Sequence, residues 1–113
     1  MVLADRGSAP TLVFDEIDTG VGGAVADAIG VRLARLAKRA QVIAVTHAPQ
    51  VAARAGRHYL ISKDVLDRGK RMATRIAELA AERRREEIAR MLAGAEITAE
   101  ARAAAERLIK AAG

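Results

Sequence analysis

Two short apolar runs bracket one helical repeat, and that order restricts the fold more than any other feature of the chain. Thr11 to Phe14 (TLVF) is the first run and Gln41 to Val45 (QVIAV) the second. Runs this short, without polar alternation, are typical of strands buried on both faces. From Ala24 to Arg39 the spacing becomes helical. Val25, Ile29, Leu33 and Leu36 fall on one face, with Arg32, Arg35 and Lys38 mostly opposite. A strand, a helix and a strand in that order imply parallel pairing through a right-handed crossover. The expected class is α/β, with parallel strands flanked by helices.

Beyond the second run, Thr46-His47-Ala48-Pro49-Gln50 leads into a short helical piece, Gln50 to Ala55. His58 to Ser62 (HYLIS) reads as a third strand, and residues 63–70 are polar and turn-like. Met72 to Leu79 fits a strand or the start of a helix; the strand is preferred because the third strand needs a partner edge. Glu82 to Leu92 is an amphipathic helix with Ile88, Met91 and Leu92 inward, stopped by Gly94. Thr98 suits the N-cap of a last helix, with Glu100 at its positive end and Leu108 and Ile109 on its apolar side. At 113 residues the chain makes one modest domain. Aromatics are only 2%, so its core must come from Ala, Leu, Ile and Val.

The first strand ends in acid: Thr11-Leu12-Val13-Phe14-Asp15-Glu16-Ile17-Asp18. A parallel sheet presents its ligand-binding crevice at the carboxyl ends of its strands. Nucleotide hydrolases of this shape need one acid to support Mg²⁺ and another acceptor to align the attacking water. On these grounds Asp15 is the metal-side acid and Glu16 the water-side one. The competing reading is a strand that runs into a solvated acidic turn. His47 follows the second strand, so it would leave the sheet beside Asp15 and Glu16. From there it could donate a hydrogen bond to a phosphate oxygen. No further His or acid has the spacing of another kind of metal centre. The absence of cysteine excludes disulfides and thiolate metal sites and fits a reducing cytoplasm. No apolar run approaches the ~20 residues of a membrane span, and the opening MVLADRGSAP has no signal-peptide core.

Three segments together carry a resemblance. TLVFDEIDTGVGG, then QVIAVTHAPQVAARAGRHYLISK, then RREEIARMLAGAEIT closely resemble the C-terminal segment of the RecN family, from about Leu3 onward. That family comprises bacterial DNA double-strand-break repair proteins of the SMC-like, ABC-type ATPase class. The acid-ended strand and the His are common to ABC ATPases. The run Asp18 to Gly23, the run His47 to Ala52 and the tail are more specific to the family. The resemblance implies that residues 1–113 form the C-terminal lobe of a P-loop (ABC/SMC-type) ATPase head. It implies that Asp15 is the Walker B aspartate supporting Mg²⁺ and that Glu16 is the catalytic glutamate. Asp18 would begin the D-loop at the nucleotide, crossing to a second head, and His47 would be the switch histidine that senses the γ-phosphate. Gln50 receives no catalytic role. Implied ligands are ATP and Mg²⁺. Implied partners are DNA through the complete protein, the N-terminal ATPase half, and a second copy through ATP-dependent head engagement. The implied location is cytoplasmic and nucleoid-associated, with no membrane contact.

The chain also departs from the pattern. It contains no G-x-x-x-x-G-K-[ST] run to cradle phosphates. Gly20, Gly22 and Gly23 lack the following Lys-Ser or Lys-Thr and read as a flexible turn into a helix. A Ser-Gly-Gly signature, expected just before Met1, and coiled-coil arms are likewise not in the chain. The expectation is a fragment of a longer gene or a truncated reading frame. It would be an ATPase within the complete protein, with the isolated chain neither binding ATP tightly nor hydrolysing it. Two other readings stay open on the residues. One is the head lobe of another SMC or RecF-like ATPase. The other is a small non-catalytic basic DNA-binding module, using the net charge of +5, Arg83 to Arg85 and the last helix. Against the second, Arg83 to Arg85 also reads as a solvated face beside Glu82, Glu86 and Glu87, and no aromatics are interleaved to stack bases.

Overall fold

The two apolar runs pair directly. In a computed structural model, which describes residues 10–15 and 22–112, β1 (Thr11–Asp15) and β2 (Gln41–Val45) lie parallel. Their register runs from Thr11 opposite Gln41 to Asp15 opposite Val45. The helix between them is α1 (Gly23–Leu36). At the start of the ladder the Gln41 N–H donates to the Pro10 carbonyl at 2.9 Å. The Thr11 hydroxyl donates to Gln41 Oε1, also at 2.9 Å.

Residues opposite one another share a face, so Leu12 and Val42 lie on one side and Val13 and Ile43 on the other. Leu12 is buried, but Val13 is 66% exposed, Ile43 46% and Val45 40%. The expectation of burial on both faces is therefore corrected: among the described residues only one face is covered. An apolar run makes burial favourable on both sides, but burial also needs a second layer, and the described residues supply one.

α1 begins one residue before the expected start and ends three before the expected end. Its buried positions are Ala26 and Gly30, while Val25, expected inward, is 52% exposed. The reason is a close approach to α2 (Pro49–Ala52). A Cβ at Gly30 would lie 3.0 Å from the Gln50 carbonyl oxygen and 3.4 Å from Val51 Cα. Small residues on α1 thus let two backbones meet, which a Val25-centred face would prevent. An ion pair between Arg54 and Asp27 (3.3 Å) spans the same junction.

The third strand is longer than expected. β3 (Tyr59–Leu66) continues past Ser62 because Lys63 to Leu66 pair with Arg71 to Thr74 of β4 (Arg71–Glu78). The pairing is antiparallel, so β3 does not extend the parallel sheet. Asp67, Arg68 and Gly69 all have positive φ in the turn between them. One face of this hairpin carries Tyr59, Ile61, Val65, Met72 and Ile76, all exposed.

The densest packing is helical. α3 (Ala81–Ala93) and α4 (Ala99–Ala112) enclose a core with α2. Ile88 is fully buried there, with Ala52, Ala53, Ala89, Ala101 and Ala105 around it. Met91, Ile97, Leu108 and Ile109 flank this cluster. Leu92, expected inward, is 38% exposed; Ala89 takes the inner position instead. Gly94, at φ +83°, terminates α3. The Ala101 N–H donates to the Thr98 hydroxyl at 3.1 Å, the N-cap bond expected for α4.

Candidate functional site

Asp15 is the last residue of β1, and its ladder partner Val45 is the last of β2. Parallel strands have their carboxyl ends at one edge, so the chain leaves β2 beside Asp15 and at once forms Thr46 and His47. Both Asp15 and His47 are exposed. The predicted residues Glu16 and Asp18 lie outside the described residues. Of the glycines read as a turn, Gly22 is the extended N-cap of α1 and Gly23 its first residue.

The turn carrying His47 has its own internal support. The Ala48 N–H donates to the Thr46 hydroxyl at 2.9 Å, a local bond that suits Thr at a turn. Ala48 is the N-cap of α2 and Pro49 its first residue, a position that needs no backbone N–H. The Ala48 carbonyl then accepts from the N–H groups of Val51 and Ala52, each at 3.1 Å. With four residues, α2 is too short to hold its shape in water. Tertiary contacts fix it. α1 lies against one side at Gly30, and Arg84 of α3 reaches its carbonyl end. Arg84 Nη2 donates to the carbonyls of Ala52 (3.1 Å), Ala53 (3.1 Å) and Ala55 (2.5 Å). These oxygens lie at and just past the end of α2, where the intrahelical pattern runs out; the Ala52 oxygen also accepts from the Ala55 N–H at 3.2 Å.

Arg84 is a residue that sequence reasoning missed. The Arg83–Arg85 run reads as a solvated or DNA-binding face, yet Arg84 and Arg85 are partly buried. Burial lowers the pKa of Arg84, and Arg85 pairs with Glu106 at 3.3 Å. The available signal was spacing: Arg84 lies four residues before Ile88, on the inward side of α3.

His58, just before β3, lies near Arg84. Its Nδ1 is buried with no partner among the described residues. Burial lowers its pKa from 6.5, the Arg84 charge lowers it further, and Glu87 opposes both. Well above pH 6.5 the ring is neutral in folded and unfolded chain alike. As pH falls below 6.5 the unfolded ring takes its proton first, so the folded state loses stability until its own lower pKa is passed. The melting temperature is expected to fall as pH drops through about 6.5, where the unfolded ring begins to take its proton. His58→Phe should remove the His58 share of that drop. An equal drop in both proteins would assign it to other groups.

Among the described residues no group of three or more His, Cys, Asp or Glu is arranged to hold a metal ion. Asp15 offers a single exposed carboxylate. This suits Mg²⁺, which commonly takes one or two carboxylates and completes its shell with phosphates and water. None of the described helices is long and apolar enough to cross a membrane.

No family model matches the chain. Individual relatives do. It is 50% identical over 103 residues to DNA repair protein RecN of Xylella fastidiosa strain 9a5c, covering 91% of this chain and 18% of that protein. It is 48% identical over 112 residues to DNA repair protein RecN of Streptomyces coelicolor, covering 99% of this chain and 19% of the relative. The same identity over the same length relates it to DNA repair protein RecN of Mycobacterium leprae. The chain thus spans under a fifth of the length of these curated relatives. A solved chain from work on the ATP-driven dimerization and DNA-stimulated activation of SMC ATPases superposes with a TM-score of 0.57. The match covers 80% of this chain and 52% of the other at 20% sequence identity, a likeness of fold. Over the residues it shares with these relatives, the chain belongs to the RecN family and has the fold of part of an SMC ATPase.

Proposed function

We infer that this chain is the C-terminal lobe of the ATPase head in a RecN-type protein of DNA double-strand-break repair and recombination. Asp15 is the carboxylate on the Mg²⁺ side, Glu16 aligns the attacking water, Asp18 opens the loop toward a second head, and His47 reads the γ-phosphate. The observation that carries this reading is the register of Asp15 opposite Val45. It puts an acid and the His47 turn at one carboxyl edge, where open α/β sheets take ligands.

Phosphoryl transfer to water is mostly positioning and charge stabilisation. The Glu16 carboxylate accepts a hydrogen bond from the water and turns its lone pair toward phosphorus. The His47 ring N–H donates to a γ-phosphate oxygen as charge develops there. Mg²⁺, when bound, neutralises charge on the phosphate oxygens, and Asp15 is the residue that would hold it. The phosphate cradle comes from elsewhere in the longer protein, since this chain has no G-x-x-x-x-G-K-[ST] run. The bare sheet face of Val13, Ile43 and Val45 supports the same division, because it is a surface suited to a missing layer. In this reading the complete protein dimerises with ATP and is activated by DNA, as the SMC ATPases of the structural neighbour are.

A fluorescent ATP analogue titrated into the chain alone is expected to show no micromolar binding. Adding a polypeptide that carries the P-loop half of the head is expected to give Mg²⁺-dependent phosphate release. Micromolar binding by the chain alone, or no turnover in the combined sample, overturns the reading.

A further inference from the structure

We propose that Arg84 is a positioning residue for the His47 turn: from α3 it grips the carbonyl end of α2 and so fixes where α2 begins. The proposal rests on the reading of His47 given above. α2 is one turn, about 6 Å long at 1.5 Å per residue, and no spacer separates it from the turn. Ala48 is its N-cap, and His47 is the residue before. A displacement at Ala52 or Ala53 therefore moves His47.

Two contacts locate α2 from the other side, the Gly30 approach and the Arg54–Asp27 pair. Those contacts set its distance from α1. The three carbonyl bonds from Arg84 tie its far end to the helix that carries Ile88. Charged donors make stronger hydrogen bonds than neutral ones, and partial burial limits competition from water. The α3–α4 pair and the phosphate-reading turn are thereby held as one body. A shift of α3 would carry His47 away from the edge where Asp15 ends β1.

The geometry also says which replacement should work. All three bonds come from one nitrogen, Nη2, while Arg84 Nε is buried without a partner. A lysine ammonium carries three donors on one nitrogen. Methionine keeps an apolar stem of similar shape and no donor.

The test compares Arg84→Met with Arg84→Lys by amide hydrogen exchange in this chain. In Arg84→Met the amides of Val51, Ala52 and Ala53 should exchange about tenfold faster relative to those of β2, the scale of losing charged hydrogen bonds. Arg84→Lys should stay within about twofold of the parent for the same reason. In the combined ATPase sample, Arg84→Met should lower kcat about tenfold with KM for ATP changed less than about twofold, because a displaced sensor affects the transition state more than binding. Arg84→Lys should restore kcat. Unchanged exchange in α2, equal acceleration throughout the chain in both variants, or faster exchange with unchanged kcat would each overturn the proposal. If the unsubstituted combined sample turns over no ATP, the reading of the site fails. The exchange comparison still decides whether Arg84 holds the turn.

Discussion

On the proposed reading, replacing Glu16 with Gln in the complete protein is expected to cut ATP turnover by about 10²–10⁴-fold, the scale of a positioned general base. Nucleotide binding should persist. Gln keeps the side-chain length and one carbonyl acceptor, so the site keeps its shape. It loses the negative charge and the second oxygen, so it cannot draw the proton side of the water away from phosphorus. Asp15→Asn serves as the contrast. It removes the hard anionic oxygen offered to the cation, so Mg²⁺-dependent nucleotide binding should weaken along with turnover. Phosphate release and equilibrium nucleotide titration, measured on both variants, separate these outcomes. An unchanged rate in Glu16→Gln would remove Glu16 from the catalytic role.

Ile88→Ala should be the most damaging single truncation among the described residues, at about 2–5 kcal/mol. Ile88 is fully buried, and the other buried residues of its core are alanines, Ala89 on its own helix and the rest on α2 with its C-cap and on α4. Alanine has no spare side chain to fall into a cavity, and the helices already approach closely. The space left by Ile88 therefore stays open. Domains are stable by only about 5–15 kcal/mol in total, so the loss should appear as a large fall in the urea midpoint, read by circular dichroism. Ile88→Val removes one methylene and should cost about 0.5–1.5 kcal/mol. Equal midpoints for the two variants would show that the helical core is not closed at this position. The same experiment bears on Arg84, which shares the inner side of α3 with Ile88.

Periodicity and local chemistry made much of the fold legible. The apolar runs at Thr11 and Gln41 are the two strands of the parallel pair, joined by the helix that the spacing of α1 predicts. Thr98 caps α4 with the hydrogen bond its hydroxyl was expected to accept. These are properties of a few neighbouring residues, and neighbouring residues suffice to read them. The inward face of α1 was not legible. Leu33 and Ile29 advertise one stripe, but the helix turns its smallest residues, Ala26 and Gly30, inward to meet α2. The length of β3 was also hidden, because Lys63 and Asp64 look like turn residues until their pairing with Thr74 and Ala73 is seen.

For the proposed site, the sequence alone supplied the candidate groups: an acid-ended strand, and a His leaving the next strand. Strand polarity is written in the order strand, helix, strand, so the shared edge of Asp15 and His47 follows from the chain itself. What only the tertiary structure decided is how the His47 turn is held. Arg84 and the carbonyls of Ala52, Ala53 and Ala55 are about thirty residues apart, and backbone carbonyls leave no mark in a sequence. Whether an arginine faces water or grips a helix end depends on which helix packs beside it. That choice belongs to the core around Ile88, where the sum of many weak contacts, and no local pattern, sets the arrangement.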